Sequence, residues 1–246
     1  MASLTFDTNL LQQTYFFGFE ASDTIGPEGL GPVDFSLPPF SRREAEKMEK
    51  RTWDISIKDT ALKPKVFMLA GVPQRPLIMY GSGSLLFIQQ DFVEYHSMLL
   101  QGSLMDERKV SCVFDSGEFD YVFCNLFAAR NDALKLDWSR SRFLVVRHTN
   151  YTNGRTRKEN GQVVTFTGRE TQFPDFEAWR KARIVDLFDF FLPIQLCYPH
   201  TIPEIIKPFQ LVTLFSARLR AAIEAVPNPG ITFLDHEVTV LTPAQG

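Results

Sequence analysis

The segment from Lys109 to Phe127 constrains the fold most. Val110, Cys112 and Phe114 recur at every second position, and Tyr121-Val122-Phe123-Cys124 runs apolar after the acidic stretch Asp115-Ser116-Gly117-Glu118-Phe119-Asp120. Period-two spacing turns one face of an extended chain toward a core, so this region reads as strand, turn and strand. Arg142-Phe143-Leu144-Val145-Val146 repeats the strand signal after a turn around Asp137-Trp138-Ser139. Further strands are expected within residues 1–20, at Trp53–Ile57, Val163–Phe166 and Phe209–Leu214, and at Ile231–Leu234 with Val238–Val240.

Other stretches carry helical spacing. From Ser84 to Leu100, residues Leu85, Ile88, Phe92, Tyr95, Met98 and Leu99 fall at three- and four-residue steps, with Ser84 as cap and Gly102 as stop. Residues 174–192 place Phe176, Trp179, Ile184, Leu187 and Phe191 on one side, and Ser216 caps a helix through Ala225 with Leu219, Ala222 and Ile223 inward. Ser41-Arg42-Arg43-Glu44 matches a capping box that opens an exposed helix. Between Gly26 and Pro39 glycine and proline crowd into a surface loop, and Asn153-Gly154 and Asn160-Gly161 mark hairpin turns. Helices and short strands mix without a βαβ rhythm. The expected class is therefore α+β: a mixed, mainly antiparallel sheet with a few amphipathic helices packed on it. We expect a single domain over residues 1–246, with a subdivision into 1–105 and 106–246 left open.

The function classes narrow by exclusion. A net charge of −3 offers no positive field to gather phosphates, so nucleic acid is not expected as a partner. The greasiest stretch, Leu187 to Leu196, is interrupted by Asp189, Pro193 and Gln195 and falls short of the roughly 20 apolar residues a membrane helix needs. The first residues lack the basic and apolar regions of a signal peptide. Cys112, Cys124 and Cys197 are odd in number and lack a CxxC pair, as expected of buried free thiols in a reducing compartment. A cytoplasmic location is expected.

No motif assigns a catalytic, cofactor-binding or metal-binding residue. Gly81-Ser82-Gly83-Ser84 lacks the lysine of a phosphate loop and reads as a turn and cap. His96, His148, His200 and His236 stand isolated, and Asp235-His236-Glu237 reads as a solvated turn between strands. Asp115, Glu118 and Asp120 are the densest acidic run. They form either a turn with solvated charge or an acidic edge offered to a basic partner. Arg155, Arg157 and Lys158 read as an exposed hairpin tip. The 23 Phe, against 6 Tyr and 3 Trp, exceed what a partner surface needs. Phe87, Phe92, Phe114, Phe123, Phe127 and Phe143 fall on elements that must be buried. Phe35, Phe40, Phe173 and Phe176 lie in or beside breaker-rich loops, and are the candidate partner-binding aromatics.

Tyr121-Val122-Phe123-Cys124-Asn125-Leu126-Phe127, followed by Leu136-Asp137-Trp138-Ser139-Arg140-Ser141-Arg142-Phe143, resembles a pattern in bacterial polymorphic-toxin immunity proteins typified by a myxobacterial immunity domain. In that pattern an aromatic pair leads into asparagine, and Leu-Asp-aromatic follows, then two residues and Ser. Trp53-Asp54, the stretch Ser84 to Leu100 and the stretch Phe215 to Phe233 agree with its flanks, and Asp137 and Ser141 are its better polar matches. Residues 1–50 and the Arg155 loop have no counterpart in it. The resemblance implies a protein that neutralises a cognate toxin by occlusion, without catalysis of its own. The other class left open is a cytosolic enzyme, a hydrolase among the options, whose acid and base residues meet only in the fold.

Overall fold

In a computed structural model of the chain, the described residues are 10–20, 65–80, 85–103, 107–126, 135–147, 169–185, 189–209 and 212–244. Their first elements are β1 (Leu10–Glu20), β2 (Lys65–Phe67), β3 (Leu77–Tyr80), β4 (Leu85–Gln89), α1 (Gln90–Tyr95), α2 (Ser97–Leu100), β5 (Glu107–Phe114) and β6 (Gly117–Asn125). Then come β7 (Arg142–Arg147), β8 (Arg169–Thr171), α3 (Phe176–Val185), β9 (Asp189–Cys197), β10 (Ile205–Phe209), β11 (Val212–Ser216), α4 (Ala217–Glu224) and β12 (Ile231–Pro243). The fold is α+β, with mixed and mostly antiparallel sheets. The chain divides into two compact units that interleave in sequence. One takes Met1–Phe16, Ala133–Ile202 and Leu234–Gly246, and the other takes Phe17–Asp132 and Pro203–Phe233.

The unit built on residues 17–132 and 203–233 holds a five-stranded sheet in the order β2-β5-β6-β4-β3. The β5–β6 hairpin follows from the alternation of Val110, Cys112 and Phe114, with Val110 opposite Tyr121 and Phe114 opposite Gly117. The stretch Ser84 to Leu100 departs from the expected single helix. Leu85–Gln89 is a strand hydrogen-bonded on both sides, to β3 and to β6. Leu86 and Ile88 join a buried cluster with Leu77, Val122, Phe215, Leu219 and Ile223, while Phe87 joins another with Ile78, Cys112 and Tyr121. A strand covered on both faces has no apolar period, and its Leu85 and Ile88 happen to sit three apart as in a helix. Ser84 lies outside the described residues. The helix begins only at Gln90, pauses at His96 and ends at Leu100.

Where one strand was expected over Phe209–Leu214, the chain makes an antiparallel pair, β10 and β11, with Ile206 opposite Leu214. Ser216 caps α4 as expected: its Oγ accepts the Leu219 N–H at 3.1 Å, and Leu219 and Ile223 are fully buried. Past that helix, Gly230 holds a φ of +84°, and a Cβ there would stand 2.8 Å from Arg75 Cβ and closer still to the Leu77 carbonyl oxygen. The Leu77 N–H donates to Pro229 O at 3.0 Å, which fixes this close approach.

In the other unit the strand order is β1-β12-β9-β7-β8. β7 is antiparallel to both β8 and β9, and β12 runs parallel to β9. The helix expected over 174–192 stops at Val185, and Phe191 belongs to β9. Pro193 has no N–H to continue either ladder, and the register of β7 against β9 shifts beside it, between Arg142 and Phe143. The turn expected at Asp235-His236-Glu237 is absent, because β12 runs unbroken from Ile231 to Pro243. Among the described residues, no helix is long and apolar enough to cross a membrane. The expected elements at Ser41–Arg51, Trp53–Ile57, Gly81–Ser84, Asn153–Gly161 and Val163–Phe166 lie outside the described residues.

Candidate functional site

The acidic run is held by the sheet around it. Asp115 Oδ2 accepts the Gly71 N–H at 2.8 Å, and Glu118 takes Lys65 Nζ at 2.7 Å and the Ser111 hydroxyl. Ser111 is buried beneath this carboxylate, so Glu118 ties β2, β5 and β6 together while its own side chain stays half-exposed. The register sets Asp120 opposite Ser111, and Asp120 is exposed. The pattern-two face that carries Glu118 and Asp120 at one end buries Val122 and Cys124 at the other. Asp115 and Glu118 are thus engaged within the protein, and the run is not a set of free carboxylates. Burial, and after it the charge of Asp120, pushes the Cys112 thiol well up. That keeps it protonated and unreactive at neutral pH.

Residues 136–143 build a turn that docks on β9. Ser139 Oγ donates to Asp137 Oδ1 at 2.7 Å, and Ser141 Oγ donates to Asp137 O at 2.7 Å. Ser141 Oγ also accepts the Cys197 N–H at 3.0 Å, and the Asp137 N–H donates to Cys197 O at 2.8 Å. Ser141 is fully buried. The hydroxyl thereby continues the ladder to β9 just where β7 begins. Arg142 reaches Gln195 Oε1 at 2.8 Å and Glu170 at 3.3 Å, and Gln195 Nε2 donates to Arg140 O at 3.1 Å. Burial raises the Cys197 thiol, opposed by the Gln195 bond and the Arg140 charge. Asp137 and Ser141 therefore have complete structural roles.

Around this turn stands an aromatic core. Trp138 stacks on Phe143 at 5.7 Å between ring centroids, and Phe176 stacks on Trp179 at 5.6 Å. Phe173, a candidate partner anchor from its loop setting, is buried against Phe143 and Phe191. Its ring belongs to the core and is not presented outward. Phe176 is half-buried on Trp138 and Trp179. Phe35 and Phe40 lie outside the described residues, as does Phe127. Phe87, Phe92, Phe114 and Phe143 are buried as expected, and Phe123 is partly so.

Among the described residues the histidines do not converge. His236 Nε2 lies 3.2 Å from Pro193 O, and burial lowers the imidazole despite that bond and the nearby Glu237. His200 packs on Tyr198, and His148 lies outside the described residues. Among the described residues, no three His, Cys, Asp or Glu stand together in a way that would hold a metal ion.

Two features escaped the pattern reading. Tyr95 and Met98, assigned inward by helical spacing, are instead 86% and 90% exposed. The inward face through both helices is Phe92, Val93, His96, Leu99 and Leu100, at helical spacing, so Tyr95 and Met98 fall on the opposite side. His96 sits between Phe92 and Tyr95, at 4.4 and 4.7 Å between centroids. The other is Lys207, buried on β10 with its Nζ 3.3 Å from Thr213 Oγ1; burial pushes its ammonium down to about 7. A lysine between isoleucine and proline gave no sequence signal for that burial. No protein-family model, curated protein or solved structure matches the chain.

Proposed function

We propose that this chain is a binding protein that neutralises a cognate bacterial toxin by covering its active cleft, with no chemistry of its own. The resemblance of Tyr121–Phe127 and Leu136–Phe143 to immunity proteins suggests the class. The observation that carries the reading is the pair Tyr95 and Met98, which stand almost fully exposed on the helices that follow β4. Tyrosine and methionine are enriched where proteins meet, and a rigid tyrosine contributes contact area with little entropy lost on binding. An interface of about 800 Å² per partner centred on such anchors suffices for stable occlusion. The location that fits this role is the cytoplasm.

The test is to express the toxin domain encoded beside this gene in a susceptible host, with and without this chain. Restored growth, together with co-purification of the two proteins, is the expected result. Growth that stays arrested with no co-purification sinks the reading. A hydrolytic activity lost on substituting Ser111 and Glu118, a hydroxyl and a carboxylate in direct contact, would favour the enzyme class instead.

A further inference from the structure

We draw no further inference here: the strongest candidate, the surface patch of Tyr95 and Met98 on the helices α1 and α2 that follow β4, is already the face proposed to meet the toxin, and nothing in the structure shows what covers it.

Discussion

Replacing Ser141 with alanine should unfold the motif-bearing unit more easily without touching any surface. The hydroxyl makes two bonds, one to Asp137 O at 2.7 Å and one from the Cys197 N–H at 3.0 Å. The carbonyl has a substitute, because Asp137 O also accepts the Ser141 N–H at 3.1 Å. The amide of Cys197 loses the hydroxyl as its acceptor, in a place where Ser141 is fully buried and Cys197 nearly so. A buried N–H left without an acceptor costs about 1–3 kcal/mol. We therefore expect Ser141→Ala to lower the unfolding free energy by about 2 kcal/mol. Ser139→Ala, which removes an exposed bond to Asp137 Oδ1, should stay within about 0.5 kcal/mol. Urea unfolding followed by tryptophan fluorescence suits the measurement, since Trp138 adjoins the turn and Trp179 packs against it. A Ser141→Ala midpoint indistinguishable from that of Ser139→Ala would refute the argument. So would unchanged stability with abolished toxin binding, because it would move Ser141 from structure to interface.

Gly230→Ala should destabilise by more than about 2 kcal/mol, since the new methyl meets the Leu77 backbone, whereas Gly102→Ala, at a φ of +75° with open space around it, should cost only about 1 kcal/mol; thermal melts compare the two. Lys207 titrates near 7 when folded and near 10.5 when unfolded, so between those values the unfolded chain binds the extra proton and stability rises with pH. Across the full window that gain is on the order of 4 kcal/mol, and Lys207→Met should flatten it; denaturant midpoints at pH 7, 8.5 and 10 read this directly, and parallel slopes for the two proteins would contradict it.

Much of the fold is legible in the chain where each element has one wet face and one dry face. β5 is the nearest to such a case, because Val110, Cys112 and Phe114 mark its buried side unaided. The Ser216 cap is another, since a hydroxyl ahead of a helix is a purely local signal. β4 is the opposite case. Its Leu86, Phe87 and Ile88 face two cores at once, and the strands that show this, β3 and β6, are separate segments of the chain. Pro193 likewise concealed β9, which tolerates it only through a register shift that no local pattern announces. For the site, the acidic run was visible as charge, but its ties to Gly71, Lys65 and Ser111 arise from strand pairing. Tyr95 and Met98 were hidden because Leu85 and Ile88, which belong to β4, set the phase of the expected stripe, whereas the inward face of the helices is Phe92, His96, Leu99 and Leu100.

The interleaving of the two units bears on how the chain leaves the ribosome. Strand β9 ends about 40 residues before its parallel neighbour, Thr239 to Leu241, and most of the segment between them belongs to the other unit. The pairing that covers Leu196 and Cys197 can therefore form only after Pro203–Phe233 has been made. Pairings between distant segments form slowly and leave apolar strand edges open to misassembly. Truncation anywhere before residue 239 removes that neighbour altogether, so a product cut short there should be cleared or aggregate.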